Sequence, residues 1–160
     1  MATFYADEIA GSTSSLQATN LGDRINGRIL TPRFSIAVVK YTLDGTEAAN
    51  DLINLIELEA GSQVISHLSR VYSDAIAATA TIDIGDLDAE GVGAAADPDR
   101  WADGLDVAGA GWDLFSANSS AGQITPYNLG SRAWLQCKFA TLVTPVAAKN
   151  LVFWIAYIGA

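Results

Sequence analysis

Residues 34–43 read FSIAVVKYTL, a run of branched and aromatic side chains that ends on the turn-forming pair Asp44-Gly45. Such side chains pack well on a pleated, half-buried surface, and Asp-Gly readily adopts the backbone of a tight turn, so this stretch predicts a β-strand and its exit. The same signal recurs along the chain. Residues 51–58 (DLINLIEL) are nearly all apolar, and Glu59-Ala60-Gly61-Ser62 stops them at strand length, which selects strand over helix. Residues 64–72 alternate Ile65, His67, Ser69 and Val71 with Val64, Ser66, Leu68 and Arg70, and residues 78–84 put Ala78, Ala80, Ile82 and Ile84 on one face. Residues 132–140 set Ala133, Leu135, Cys137 and Phe139 against Trp134, Gln136 and Lys138, and the apolar run 151–158 reads as a buried closing strand. No amphipathic pattern of three helical turns accompanies them. Short strands separated by Gly, Asp, Asn and Pro predict an all-β fold, an antiparallel β-sandwich or jelly roll.

Two stretches stand outside this pattern. Residues 85–131 carry turn chemistry throughout and apolar residues only in isolation, which predicts that some of the stretch is long loop, of the functional or interfacial kind. Residues 1–33 are polar, rich in Ser, Thr and Asn, and lack a sustained period, which predicts an N-terminal arm that orders only on contact with a neighbour. Within the arm, Phe4, Tyr5, Ile9, Leu16, Leu21, Ile25, Ile29 and Leu30 are the expected anchors. The domain itself is expected over residues 34–160, since a chain of 160 residues buries enough surface for one domain without disulfides or metals.

Composition narrows the partners. The 18 Asp and Glu outnumber the 9 Lys and Arg, for a net charge of −9. Binding to phosphate backbones or anionic lipid draws on Lys and Arg, so nucleic acid and membrane surfaces are poor partners for this chain. The longest apolar run is about half of the ~20 residues that a membrane-spanning helix requires. The N-terminus lacks the basic and apolar regions of a secretory signal, which points to a product made in the cytoplasm.

The reactive side chains are sparse. His67 is the sole histidine and Cys137 the sole cysteine, which removes His-pair and Cys-pair metal sites and any intrachain disulfide. His67 within an alternating strand, with no GxSxG elbow, reads as a packed or surface residue, and Cys137 between Leu135 and Phe139 as a buried inert thiol. The carboxylates Asp83, Asp86, Asp88, Glu90, Asp97, Asp99, Asp103 and Asp106 fall in one region. Asp86-x-Asp88-x-Glu90-Gly91 followed by Asp97 approaches a calcium loop, but it ends on Asp where a bidentate Glu is needed, Gly93 takes an apolar position, and no helices flank it. Two of these acids could also form a glycosidase pair, while Trp101, Trp112 and Trp134 could line a sugar site or serve as packing and interface anchors. Walker and GxGxxG loops are absent. On these grounds no residue is assigned a catalytic, cofactor-binding or metal-binding role, and the chain is expected not to be an enzyme.

The order of a polar arm, "NDLINLIELEAG", "TATIDIGDLDAEG", "DPDRWADGLDV" and an aromatic C-terminal strand resembles a family of small tailed-bacteriophage virion proteins, head decoration or cement proteins being nearest. The resemblance spans about residues 45–160 and is most specific at 81–88 and 97–106. It implies a β-sandwich or jelly roll that forms trimers on the capsid exterior and clamps neighbouring major capsid proteins, with no catalytic residues to carry over and synthesis in a host bacterium. The arm at 1–33 does not match that pattern, which leaves a tail or fibre component as the alternative. A carbohydrate-binding module and a small hydrolase are the rivals from other classes.

Overall fold

The computed structural model describes residues 33–88, 97–118 and 127–159, and residues 1–32, which hold most of the expected arm, lie outside them. Nine strands follow in order: β1 (Arg33–Thr42), β2 (Leu52–Leu58), β3 (Gln63–Val64), β4 (Arg70–Asp74), β5 (Ala77–Asp88), β6 (Asp97–Asp106), β7 (Ala110–Leu114), β8 (Ala133–Pro145) and β9 (Asn150–Gly159), with one 3-10 turn at Phe115–Asn118. They form two antiparallel sheets. The first has the order β1-β9-β4-β7, with β3 also paired to β9, and the second has the order β2-β8-β5-β6. Apart from the β5–β6 hairpin and the short β3, each connection crosses from one sheet to the other, which makes the sandwich a jelly roll.

The core lies between the sheets. The first contributes Val71, Leu151, Phe153 and Ile155, and the second Leu55, Leu58, Ile82, Ile84, Trp101, Leu105, Leu135, Cys137 and Phe139, all buried. Each such side chain is worth about 1.5–3 kcal/mol when removed from water, so these alternating positions hold the two sheets face to face. The alternation expected in β8 is observed except at Gln136, which is buried as well.

One expectation needs correction. Residues 64–72 are not one strand. Both β3 and β4 lie along the same flank of β9, Val64 opposite Tyr157 and Arg70 opposite Trp154, with a turn between them. Ser69 fills the gap in the ladder: its Oγ accepts from the buried Ala156 N–H at 2.9 Å and donates to the Ile65 carbonyl at 2.9 Å. The Ile65 N–H donates in turn to the Ala156 carbonyl at 2.9 Å. The side chain thus satisfies what backbone pairing does not, and polar alternation continued through a place where the strand breaks.

Much of 85–131, where some long loop was expected, is regular structure. It contains the end of β5, all of β6 and β7, and the 3-10 turn. Pairing of β5 with β6 shifts register between Ile82 and Ile84 and again between Ile84 and Asp86, so adjacent residues Trp101 and Ala102 are both buried and the period of two is lost. At Gly85 the strands approach so closely that a Cβ would collide with the Asp97 carbonyl and Pro98 backbone.

The connections gather at the two ends of the sandwich. At one end the Leu43 N–H donates to the Lys149 carbonyl at 2.8 Å, the Ala148 N–H to Leu43 at 2.8 Å and the Val146 N–H to Ile76 at 2.8 Å. At the other, Gly61 donates to Leu129 at 2.7 Å and Phe115 to Ser69 at 3.0 Å.

Candidate interaction surface

The expected reactive residues do not converge. His67 sits in the exposed turn between β3 and β4, not inside a strand. Cys137 is fully buried in β8, where burial and the charge of Asp83 push its thiol pKa up. A nucleophilic thiol needs the opposite setting, exposed and electropositive.

The carboxylates bind β5 to β6. Asp83 accepts the Gly104 N–H at 2.9 Å, while Asp86 accepts the Asp97 N–H at 3.1 Å and the Arg100 Nε at 3.0 Å. Arg100 also reaches Asp97 at 3.5 Å and lies over the Tyr127 ring, 3.8 Å from its centroid. Asp86, the first position of the supposed calcium loop, is therefore committed to its neighbours, and Glu90 and Gly91 lie outside the described residues. Among the described residues no group of three or more His, Cys, Asp or Glu is placed to hold a metal ion. Asp99 is pushed above its ordinary pKa by a hydrogen bond shared with Asp97, by burial, and by the charges of Asp97 and Asp103. The mutual repulsion of Asp97, Asp99 and Asp103 is the electrostatic cost of packing acids along β6.

The three tryptophans singled out from the sequence are also separated. Trp101 is in the core, Trp134 is half-buried on β8, and Trp112 is exposed on β7. The companions of Trp112 are residues that the sequence reading did not select. Its ring lies 5.3 Å from Tyr72, tilted by 54°, and 5.4 Å from Trp154, edge-on at 75°. The Arg70 guanidinium lies 5.4 Å from the Trp112 centroid and 5.0 Å from that of Trp154, a stacking that suits its planar, weakly hydrated charge.

This cluster continues across the outer face of the first sheet. Register sets Val38 beside Trp154 and Trp154 beside Arg70, which in turn opposes Leu114. The next row holds Lys40, Val152, Tyr72 and Trp112. Phe34, Ile36 and Val38 on β1, with Trp112, Leu114 and Trp154, are 37–55% exposed. Strand parity places Lys40, Arg70 and Asp74 on this face, and Asp74 is held by the Asn150 N–H at 3.1 Å and Nδ2 at 2.6 Å. The hydrogen bonds from Asn150, against some opposition from burial, keep its carboxyl below the ordinary aspartate value. The signal was in the sequence: β1 and β9 carry apolar side chains at both parities, whereas a strand with one wet face alternates.

With this geometry in hand, comparison with solved structures finds the same architecture elsewhere. The fold is shared with chains of phage capsid structures. A chain in the capsid of Ralstonia phage GP4 superposes with a TM-score of 0.64 at 16% identity, covering 80% of this chain and 85% of that one. A chain in the cyanophage Pam1 capsid asymmetric unit gives 0.57 at 19% identity, covering 82% and 88%. No protein-family model matches the sequence, and no curated protein matches it. The jelly roll is thus common to chains whose sequences have little left in common.

Proposed function

We propose that this chain is a structural virion protein, and within that class a capsid decoration or cement protein that binds the outside of a phage head and stabilises it. Its partner in this reading is the major capsid protein, and it acts as a homotrimer in the virion after synthesis in the host bacterial cytoplasm. The observation that carries the reading is the shared fold, over four-fifths or more of both chains, with chains of two phage capsid structures. The chemistry agrees. A protein that binds across subunit junctions of a closed shell, and not to free subunits, stabilises the shell by mass action and needs no catalytic group. The net charge of −9 keeps such a protein off nucleic acid. His67 and Cys137 are apart, and Asp83 and Asp86 are occupied by structural hydrogen bonds. A sugar platform is disfavoured because rings tilted by 54° and 75° offer no common plane for a pyranose to stack on.

The test is cryo-electron microscopy of phage particles with and without this chain. The expected result is jelly-roll density on the outside of the head, and empty shells that break at lower temperature when it is missing. Density confined to the tail or fibres, or shells of equal stability, would refute the decoration reading.

A further inference from the structure

We infer that the outer face of the first sheet, built on β1, β9, β4 and β7, is the surface through which one copy of this chain packs against another. The inference rests on the homo-oligomeric part of the reading above and supplies the surface that the reading leaves open. Area is the first argument. Phe34, Ile36, Val38, Trp112 and Leu114 are each about half exposed and Trp154 somewhat less. With roughly 150–250 Å² on a large aromatic side chain, and somewhat less on an aliphatic one, the patch is on the order of 600 Å² before the half-buried Val152, Tyr72 and Ile158 are counted. That is at the top of the ~300–600 Å² of the largest patches on free monomers and close to the ~800 Å² that a standard interface takes from each partner.

Composition is the second. Clustered Trp, Tyr and Arg and a scarcity of acids are the marks of an interface core, and here a chain with 18 acids places Asp74 alone among them on this face, by strand parity among the described residues.

The choice of a second copy follows from charge and from timing. The face carries Lys40 and Arg70 against Asp74, while the chain as a whole carries −9, so the rest of a neighbouring copy is net negative. The net positive charge of this face complements the negative charge of the rest of the chain, which favours a heterologous contact between this face and a different surface of the next copy. An apolar face of this size on a free chain would also make it stick before any shell is met, and the partner present wherever the chain is made is the chain itself.

Sedimentation velocity of the full-length protein over a wide concentration range tests this, with Val38→Asp, Trp112→Ser and Arg70→Glu as face variants and Leu52→Asp as the control on the second sheet. The wild type and Leu52→Asp should sediment as the oligomer. Each face variant should shift toward a single chain of 16.8 kDa, with its midpoint concentration raised at least tenfold and its thermal unfolding retained. Arg70→Glu should respond most to salt. Should a face variant fail to fold, the remaining two decide. An oligomer that survives all face variants overturns the inference and leaves the homo-oligomer standing. A wild type at one chain mass overturns both. Face variants that stay oligomeric but no longer attach to shells assign the face to the capsid instead and also overturn it.

Discussion

Ser69 is one hydroxyl doing the work of a missing strand residue. Its Oγ accepts from the buried Ala156 N–H and donates to the Ile65 carbonyl, so Ser69→Ala leaves a buried amide without its acceptor. The expected cost is about 1–3 kcal/mol of unfolding free energy. Chemical denaturation reads it, and a change below about 0.5 kcal/mol would show that water or a backbone shift replaces the hydroxyl. Gly85 is the second position where a single atom decides. A Cβ there meets the Asp97 carbonyl and the Pro98 backbone, neither of which can swing aside as a side-chain tip could. Gly85→Ala should destabilise by about 2–3 kcal/mol or more through separation of β5 from β6, whereas Gly109→Ala, where a Cβ meets nothing within 4 Å, should be nearly neutral. Equal melting temperatures for the two variants would contradict the close approach.

The connection between β1 and β2 is organised around Glu47. Its carboxylate accepts the Tyr41 hydroxyl at 2.9 Å and the N–H groups of Asp44 at 2.8 Å and Gly45 at 3.0 Å. Burial works to raise its pKa, but the donors outweigh it and hold the carboxyl below the ordinary glutamate value. Burial first, and then Glu47, push Tyr41 up to about 12. A carboxyl whose folded pKa is depressed stabilises the fold above its unfolded value, about 4.3, and that contribution is lost as pH falls through the folded value. The amide resonances of Asp44 and Gly45 should therefore titrate together with a midpoint below the ordinary glutamate value, and Glu47→Gln should remove the transition at Gly45. A midpoint above the free glutamate value would mean that the three donors do not hold the carboxylate. The β5–β6 hairpin shows the same use of acids as structural acceptors: with two register shifts in their ladder, the strands are joined also by Asp83 to Gly104 and by Asp86 to Asp97 and Arg100.

On the scale of the molecule, the sandwich buries its core between two sheets and leaves the outer face of one of them apolar. In the proposed reading that asymmetry suits a component of a larger assembly, one side being satisfied by folding and the other by association. The arm expected from the sequence of residues 1–33 belongs to the same proposal. We predict that deleting residues 1–25 leaves the domain folded with a nearly unchanged melting curve and weakens attachment to the particle. The arm's apolar residues are too few to offset the ~1–2 kcal/mol per residue that backbone ordering costs without a partner. Failure of the truncated chain to fold, or particle binding as tight as that of the full chain, would contradict it.

The class of fold was legible from local pattern alone. Alternation in residues 132–140 and the strand-length apolar runs at 34–43, 51–58 and 151–158 require a pleated backbone with a buried side, and those strands are where they were expected. Sparse reactive chemistry, with one His and one Cys, was equally legible. Tertiary structure decided the rest. Residues 97–106 hold a strand with too few apolar positions to announce itself, because its stability comes from pairing with β5 and from carboxylates whose partners lie 11–21 residues away. The break at 65–69 was hidden because a serine can stand in for a backbone partner only when a third strand passes beside it. The grouping of Tyr72, Trp112, Arg70 and Trp154 arises from β4 lying between β7 and β9, three strands brought from distant parts of the chain. Local pattern reports what one strand buries, while a surface is made by the order in which strands are laid side by side.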